Sequence, residues 1–167
     1  MPVLIDGNNL LYAALEIEPE RPPSRSTICL LLGQWARKTG ERVSIVFDGP
    51  APSQGQVDQI SDPSVDVRFS GAGVKADETL EGLINANSAA RLLMVVSTDR
   101  EVRQAARRRK AKTCRSDDFW GEVLRELARP TPKPLEPPEK QTGLSPEQTE
   151  GWLRKLNWPE SQPESGR

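Results

Sequence analysis

The stretch Pro2-Val3-Leu4-Ile5-Asp6-Gly7-Asn8-Asn9 decides the fold. A short β-branched and aliphatic run ends abruptly in an acid, a glycine and two amides, the pattern of a buried strand that carries a carboxylate to the edge of a sheet. Runs of the same character recur at Val43–Phe47, Val65–Phe69 and Leu92–Val96, with a weaker one at Ala111–Cys114. Helical periodicity fills the gaps. Ile28, Leu31, Leu32 and Trp35 share one face of a helix over Ser26–Thr39 that ends at Gly40, a C-cap residue. Ala76, Leu80, Leu83, Ile84 and Asn87 make a second face, Val102, Ala105 and Ala106 a third, and Phe119, Val123, Leu124 and Leu127 a fourth. Strands alternating with helices of this length predict right-handed crossovers and a parallel sheet covered on both sides, a three-layer α/β/α sandwich. The segment from Gly49 to Asp62, with Pro50, Pro52, Gly55 and the following Pro63, reads as a mobile loop.

Three of these strands end in acids: Asp6-Gly7, Asp48-Gly49 and Ser97-Thr98-Asp99. In a parallel α/β sheet the C-terminal strand ends form the binding crevice, above all where the strand order switches direction. Asp77-Glu78, at the start of the second helix, adds a further pair. Each acid also has a local reading. Asp6 and Asp48 precede glycines in turns, and Asp77, Glu78 and Asp99 suit the first turn of a helix. Asp117 and Asp118, after Ser116, open another helix and read first as capping acids. Several acids on one rim nevertheless favour a cation site, because clustered like charges repel.

Composition narrows the chemistry. The 167 residues hold no histidine, which removes two-histidine ribonuclease chemistry, Ser-His and Cys-His nucleophiles and histidine metal sites. Carboxylates, hydroxyls and amines remain, and oxygen-only ligand sets favour Mg²⁺ or Mn²⁺. With 23 basic and 24 acidic residues the net charge is −1, so any attraction to nucleic acid must be local. Arg100, Arg103 and Arg107 provide it on one helical face, within a basic run that continues through Arg108, Arg109, Lys110, Lys112 and Arg115, and Lys75 adds a further phosphate contact. A solvated helix face is the plainer reading of the same run. Cys29 and Cys114 have no ligand-like spacing and read as buried free thiols. No glycine-rich phosphate loop follows the first strand, and that strand lacks the paired acids of phosphoryl-transfer domains.

Organisation changes after Arg129. Residues 1–129 read as one domain, 130–143 as a proline-rich linker, and 144–167 as a short amphipathic helix with a disordered tail. Ser145-Pro146 makes the helix start, and Trp152, Leu153, Leu156 and Trp158 give it an apolar side that packs back or docks a protein partner. The chain opens directly on a strand, without a leader pattern, and no stretch is long enough to span a bilayer. The cytoplasm is the expected location, with no membrane partner.

The blocks PVLIDGNNLLY, VSIVFDG, KADETLEGLI and LLMVVSTDREV resemble, in order and spacing, those of the NYN branch of the PIN-like nucleases, and within it the YacP-like proteins. Asn8 stands where that family commonly has tyrosine. The resemblance covers roughly Met1 to Leu127 and implies a strand order of 3-2-1-4-5, which puts the first and fourth strands side by side. It also implies a metal-dependent endoribonuclease acting on single-stranded RNA. Asp6, Asp77 and Asp99 fall on the family's catalytic metal-binding acids, with Asp48 and Glu78 as further ligand candidates and Asn9, Ser97 and Thr98 as supporting residues. The last site of the family is matched only by Ser116-Asp117-Asp118. The alternative expectation is a non-catalytic relative that keeps the crevice for RNA binding or assembly.

Overall fold

The computed structural model describes residues 1–53 and 62–130. Residues 54–61 of the expected loop, and the linker and tail from 131 onward, lie outside the described residues. Five parallel strands, β1 (Pro2–Asp6), β2 (Arg42–Phe47), β3 (Val65–Phe69), β4 (Met94–Val96) and β5 (Lys112–Cys114), form one sheet in the order β3-β2-β1-β4-β5. The helices α1 (Gly7–Ile17), α2 (Arg25–Thr39), α3 (Ala76–Ala86), α4 (Arg100–Arg108) and α5 (Ser116–Ala128) connect or follow them. The chain up to Pro130 forms one compact unit.

Strand alternation creates two cores. Val3 and Ile5 of β1, with Val43, Ile45 and Phe47 of β2, face a layer built from α1, α2 and α5, where Leu10, Ile28, Leu32, Trp35, Phe119 and Trp120 are buried. Leu4 of β1 and Val46 of β2 face the other way, onto Leu80 and Ile84 of α3 and Val102 and Ala106 of α4. A slip of one residue in β1 would exchange the two sets, so the register is strongly specified. The edge-to-face pair of Trp35 and Phe119, with centroids 5.3 Å apart, ties α2 to α5 and adds about 1 kcal/mol beyond area burial.

The expected helices match their sequence patterns closely, with Gly40 in the left-handed C-cap conformation at φ 72°. Three details differ. The fourth strand starts at Met94, because Ala90–Leu92 winds into a 3-10 turn. Cys29 is buried as expected, and its thiol is pushed up to about 12, chiefly by desolvation. Cys114 is only half-buried. The largest difference is α1, a helix that the Gly-Asn-Asn sequence conceals. Asp6 is its N-cap, accepting the Asn9 backbone N–H. Gly7 sits first in the helix against β2, where a Cβ would run into the Phe47 ring and lie 2.8 Å from the Val46 carbonyl oxygen. No described helix is long and apolar enough to cross a membrane.

Candidate metal and RNA site

The strand order places β1 between β2 and β4, so the carboxyl ends of these strands meet at the switch point. Asp6, the last residue of β1, is 1% exposed. Its Oδ1 accepts the Asn9 backbone N–H at 3.0 Å, and its Oδ2 accepts the Asn9 side-chain amide at 2.5 Å and the Ser97 hydroxyl at 3.0 Å. Ser97, fully buried after β4, also accepts the Asp99 backbone N–H at 3.0 Å, so one hydroxyl sets both acids across neighbouring strands. Thr98 lies half-buried between them. Asp99 caps α4, its Oδ1 taking the N–H groups of Glu101 at 2.6 Å and Val102 at 3.3 Å, and its Oδ2 is left outside the cap.

Asp48 follows β2 and holds a more distant element. Its Oδ1 accepts the Ala76 N–H at 2.5 Å, which starts α3 where Lys75 offers no side-chain cap. The other oxygen accepts the Asn8 side-chain amide at 2.7 Å. That bond fixes the Asn8 amide orientation and leaves its Oδ1 buried without a hydrogen-bond partner among the described residues. With α3 anchored in this way, Asp77 stands beside the acids of the strand ends.

The charges act on one another. Burial raises the Asp77 carboxyl above its ordinary value, and Asp6, Asp99 and Asp48 each raise it further, against a smaller opposing pull from Lys75. Asp6 is raised too, by burial first and by Asp48 last, although the Asn9 and Ser97 hydrogen bonds favour its ionised form. Among the described residues none of these four acids is in an ion pair. Nor does any set of three or more acidic or cysteine side chains surround one cation position. The four are neighbours, short of a closed ligand shell.

The other sequence candidates divide. Glu78 is exposed on α3 and is not among the charges raising Asp77. Asp117 is clasped by the Arg115 guanidinium at 3.0 Å and 3.1 Å, and this bond lowers its carboxyl. Arg103 is half-buried, its Nε donating to the Asp99 carbonyl at 3.3 Å, while Arg100, Arg107 and Lys75 are exposed. Arg108, Arg109 and Lys110 lie with Arg91 in a cleft beside the starts of β4 and β5, at the opposite end of the sheet from the acids. Sequence reasoning missed Asn8 and the helix α1 that carries it as site elements. Their signal was the Asp6 N-cap followed by Leu10, Leu11, Ala13 and Ala14 at helical spacing.

Acids gathered on a parallel sheet's switch point, and held there by cap and strand-end bonds, define a class of oxygen-donor sites. The chain belongs to the YacP-like NYN domain family, whose model matches residues 3–155. That match continues past the motif blocks and past Pro130. The structure is similar to the crystal structure of Rae1 (YacP) from Bacillus subtilis, with a TM-score of 0.61 and 21% identity over 94% of this chain and 88% of that one. It is also similar to the crystal structure of a tryptophan-to-leucine mutant of the same Bacillus subtilis protein, with a TM-score of 0.59 and 20% identity over 93% and 83% of the two chains. No curated protein sequence matches the chain.

Proposed function

We propose that this protein is a divalent-metal-dependent endoribonuclease that hydrolyses phosphodiester bonds in single-stranded RNA. The observation that carries the reading is Asp77, whose carboxyl is raised by burial and by three other acids brought from separate strand ends, with no ion pair among the described residues relieving the repulsion. Family membership supports the same reading. The donor set fits Mg²⁺ or Mn²⁺, because every group is a hard oxygen and the orphaned Asn8 Oδ1 offers one more. Asp6, Asp77 and Asp99 would hold the cation, with Asp48 and Glu78 as outer acids. When bound, such an ion lowers the pKa of an attacking water and neutralises charge on the leaving oxygen.

The chain's own residues do the rest. Ser97 and Asn9 orient Asp6, Asp48 and Asn8 fix α3 against the strand ends, and Thr98 keeps Asp99 one step beyond Ser97. Arg100, Arg103 and Lys75 lie next to the acids in sequence, Arg107 extends the basic face to the far end of α4, and together they attract the phosphate backbone. We take residues 1–129 as the catalytic unit, the Trp152–Trp158 region as a contact for a protein partner, and the cytoplasm as the location.

A second reading, a non-catalytic RNA-binding or assembly protein, draws on the absence of a closed ligand shell among the described residues. Cleavage of unstructured RNA by the full chain decides between them. Activity in Mg²⁺ or Mn²⁺ that vanishes with EDTA is expected, and RNA binding without cleavage under every metal condition supports the second reading. Undiminished cleavage in EDTA overturns the metal mechanism.

A further inference from the structure

One face of α1 remains open. Asn8, Leu11, Tyr12 and Leu15 recur at i, i+3, i+4 and i+7 and form one wall of a cleft of about 290 Å³, with Pro22, Pro23 and Arg25 on the other wall. Tyr12 is 69% exposed and is the one exposed aromatic side chain among the described residues. Ordinary surface packing does not call for a tyrosine there, since the buried side of α1 is already made by Leu10, Ala13 and Ala14. The Arg25 guanidinium lies 5.1 Å from the centroid of the Phe47 ring, which holds it at the cleft, and it has no carboxylate partner among the described residues.

The cleft is continuous with the acids. Asn8 lines it while bonding Asp48, and Tyr12 follows one helical turn later, about 6 Å along the axis. The combination of a flat aromatic ring, two proline faces and one cation suits a base together with its phosphate, because every nucleobase has a stacking face and carries a negative link. A peptide side chain would not need the cation.

We propose that this cleft holds an unpaired nucleobase of the RNA next to the cleaved phosphodiester, stacked on Tyr12, with Arg25 on the adjoining phosphate. The proposal rests on the RNA part of the preceding reading and does not depend on the metal. Stacking on one ring tolerates any base, so the site sets where an unpaired strand lies without demanding a sequence.

Tyr12 is the only tyrosine in the chain, so growth on 3-fluorotyrosine places a single fluorine reporter in the cleft. A short oligoadenylate added to the full chain in EDTA is expected to shift that resonance to saturation. An abasic oligomer of equal charge is expected to leave it unmoved. In cleavage assays Tyr12→Ala should raise KM roughly tenfold with little change in kcat, and Tyr12→Trp should restore it. An unmoved resonance with oligoadenylate, an equal shift with the abasic oligomer, or a Tyr12→Ala variant with the parent's KM overturns the proposal. A saturating, base-dependent shift in a protein that cleaves nothing supports the base site and removes the nuclease reading. Normal metal-dependent cleavage with a static resonance does the reverse.

Discussion

The acids of this domain live in two different regimes. Along the flank near β3, burial alone would raise the Asp62 carboxyl, but it accepts the Ser64 N–H at 2.8 Å and the Arg37 guanidinium at 2.7 Å, and these partners win and lower it. Asp66 is bridged by Arg68, and Asp117 by Arg115. At the switch point Asp6 and Asp77 are raised, and the donors to Asp6 are neutral amides, a hydroxyl and a backbone group. Arginine was available a few residues away, at Arg100 and Arg103, yet neither forms an ion pair with these acids among the described residues. The difference teaches that the flank acids are neutralised by arginines within the fold, while the rim acids are set in place by neutral donors and have no ion pair among the described residues.

Exchanging charge for shape at both places should separate the two regimes most sharply. If the proposed cation site holds, Asp6→Asn, Asp77→Asn and Asp99→Asn each remove a charge from it while keeping the outline, so cleavage should fall by orders of magnitude. Their metal-free melting temperatures should hold or rise, because Asn remains a good N-cap at Asp6 and Asp99 and one repelling charge is gone. Asp62→Asn should do the opposite, costing about 1 kcal/mol against the half-exposed Arg37 and leaving the cleavage rate unchanged. Melting curves and rates on the four variants check this. Destabilised but fully active rim variants would place Asp6 and Asp99 among the structural acids.

A smaller effect separates the two basic regions. Arg100 is exposed beside Asp99 and Arg107 continues the same exposed face into the last turn of α4, whereas Arg91, Arg108 and Arg109 line the cleft at the opposite rim. Replacing Arg100 and Arg107 together with alanine should weaken RNA binding and flatten the dependence of log K on log salt by about 0.7 for each phosphate no longer neutralised. Replacing Arg108 and Arg109 should leave the slope near the parent's. Fluorescence anisotropy with labelled single-stranded RNA across a salt series measures both, and equal slopes for all variants would return Arg100 and Arg107 to plain solvation.

The sheet was legible because its strands are short aliphatic runs cut off by acids, and a residue such as Asp6 at the end of Val3-Leu4-Ile5 marks the strand's carboxyl end directly. The helix after it was harder to read, since the turn propensities of Gly7-Asn8-Asn9 mask the helical spacing of Leu10, Leu11, Ala13 and Ala14 that follows. Gly7 is required by the Phe47 ring, and Asn9 by Asp6. The same limit applies to Asp48. A sequence places it in a turn, but its bond to the Ala76 N–H spans 28 residues and no local pattern records it. The division of the acids into paired and open ones was likewise hidden, because the Arg37–Asp62 partners lie 25 residues apart. Asp117, by contrast, has Arg115 two residues away, and an acid flanked so closely by arginine reads as a poor metal candidate once the pair is seen.

The faintest effect is the pH dependence of stability, which should run in opposite directions for the two regions. The Asp6 and Asp77 carboxyls, raised above the ordinary 3.8 in the folded protein, bind their protons more tightly than in the unfolded chain. Between 3.8 and those raised values the metal-free fold is therefore favoured by acid, and it loses that advantage as pH rises through them. Asp62 and Asp117 are lowered, so the stability they contribute is complete above 3.8 and is lost as pH falls through their folded values. An Asp6→Asn, Asp77→Asn double variant in EDTA should lose the decline on the alkaline side of 3.8, and its melting temperature should exceed the parent's by a growing margin as pH rises. Asp62→Asn should fall below the parent at neutral pH and converge on it in acid. Saturating Mg²⁺ should erase the first difference by stabilising the parent alone, because a cation that binds only the folded, ionised rim adds stability by mass action. A parent protein whose metal-free stability rises steadily through this window, as its double variant's does, would show that burial and acidic neighbours do not raise the Asp6 and Asp77 carboxyls in the folded protein.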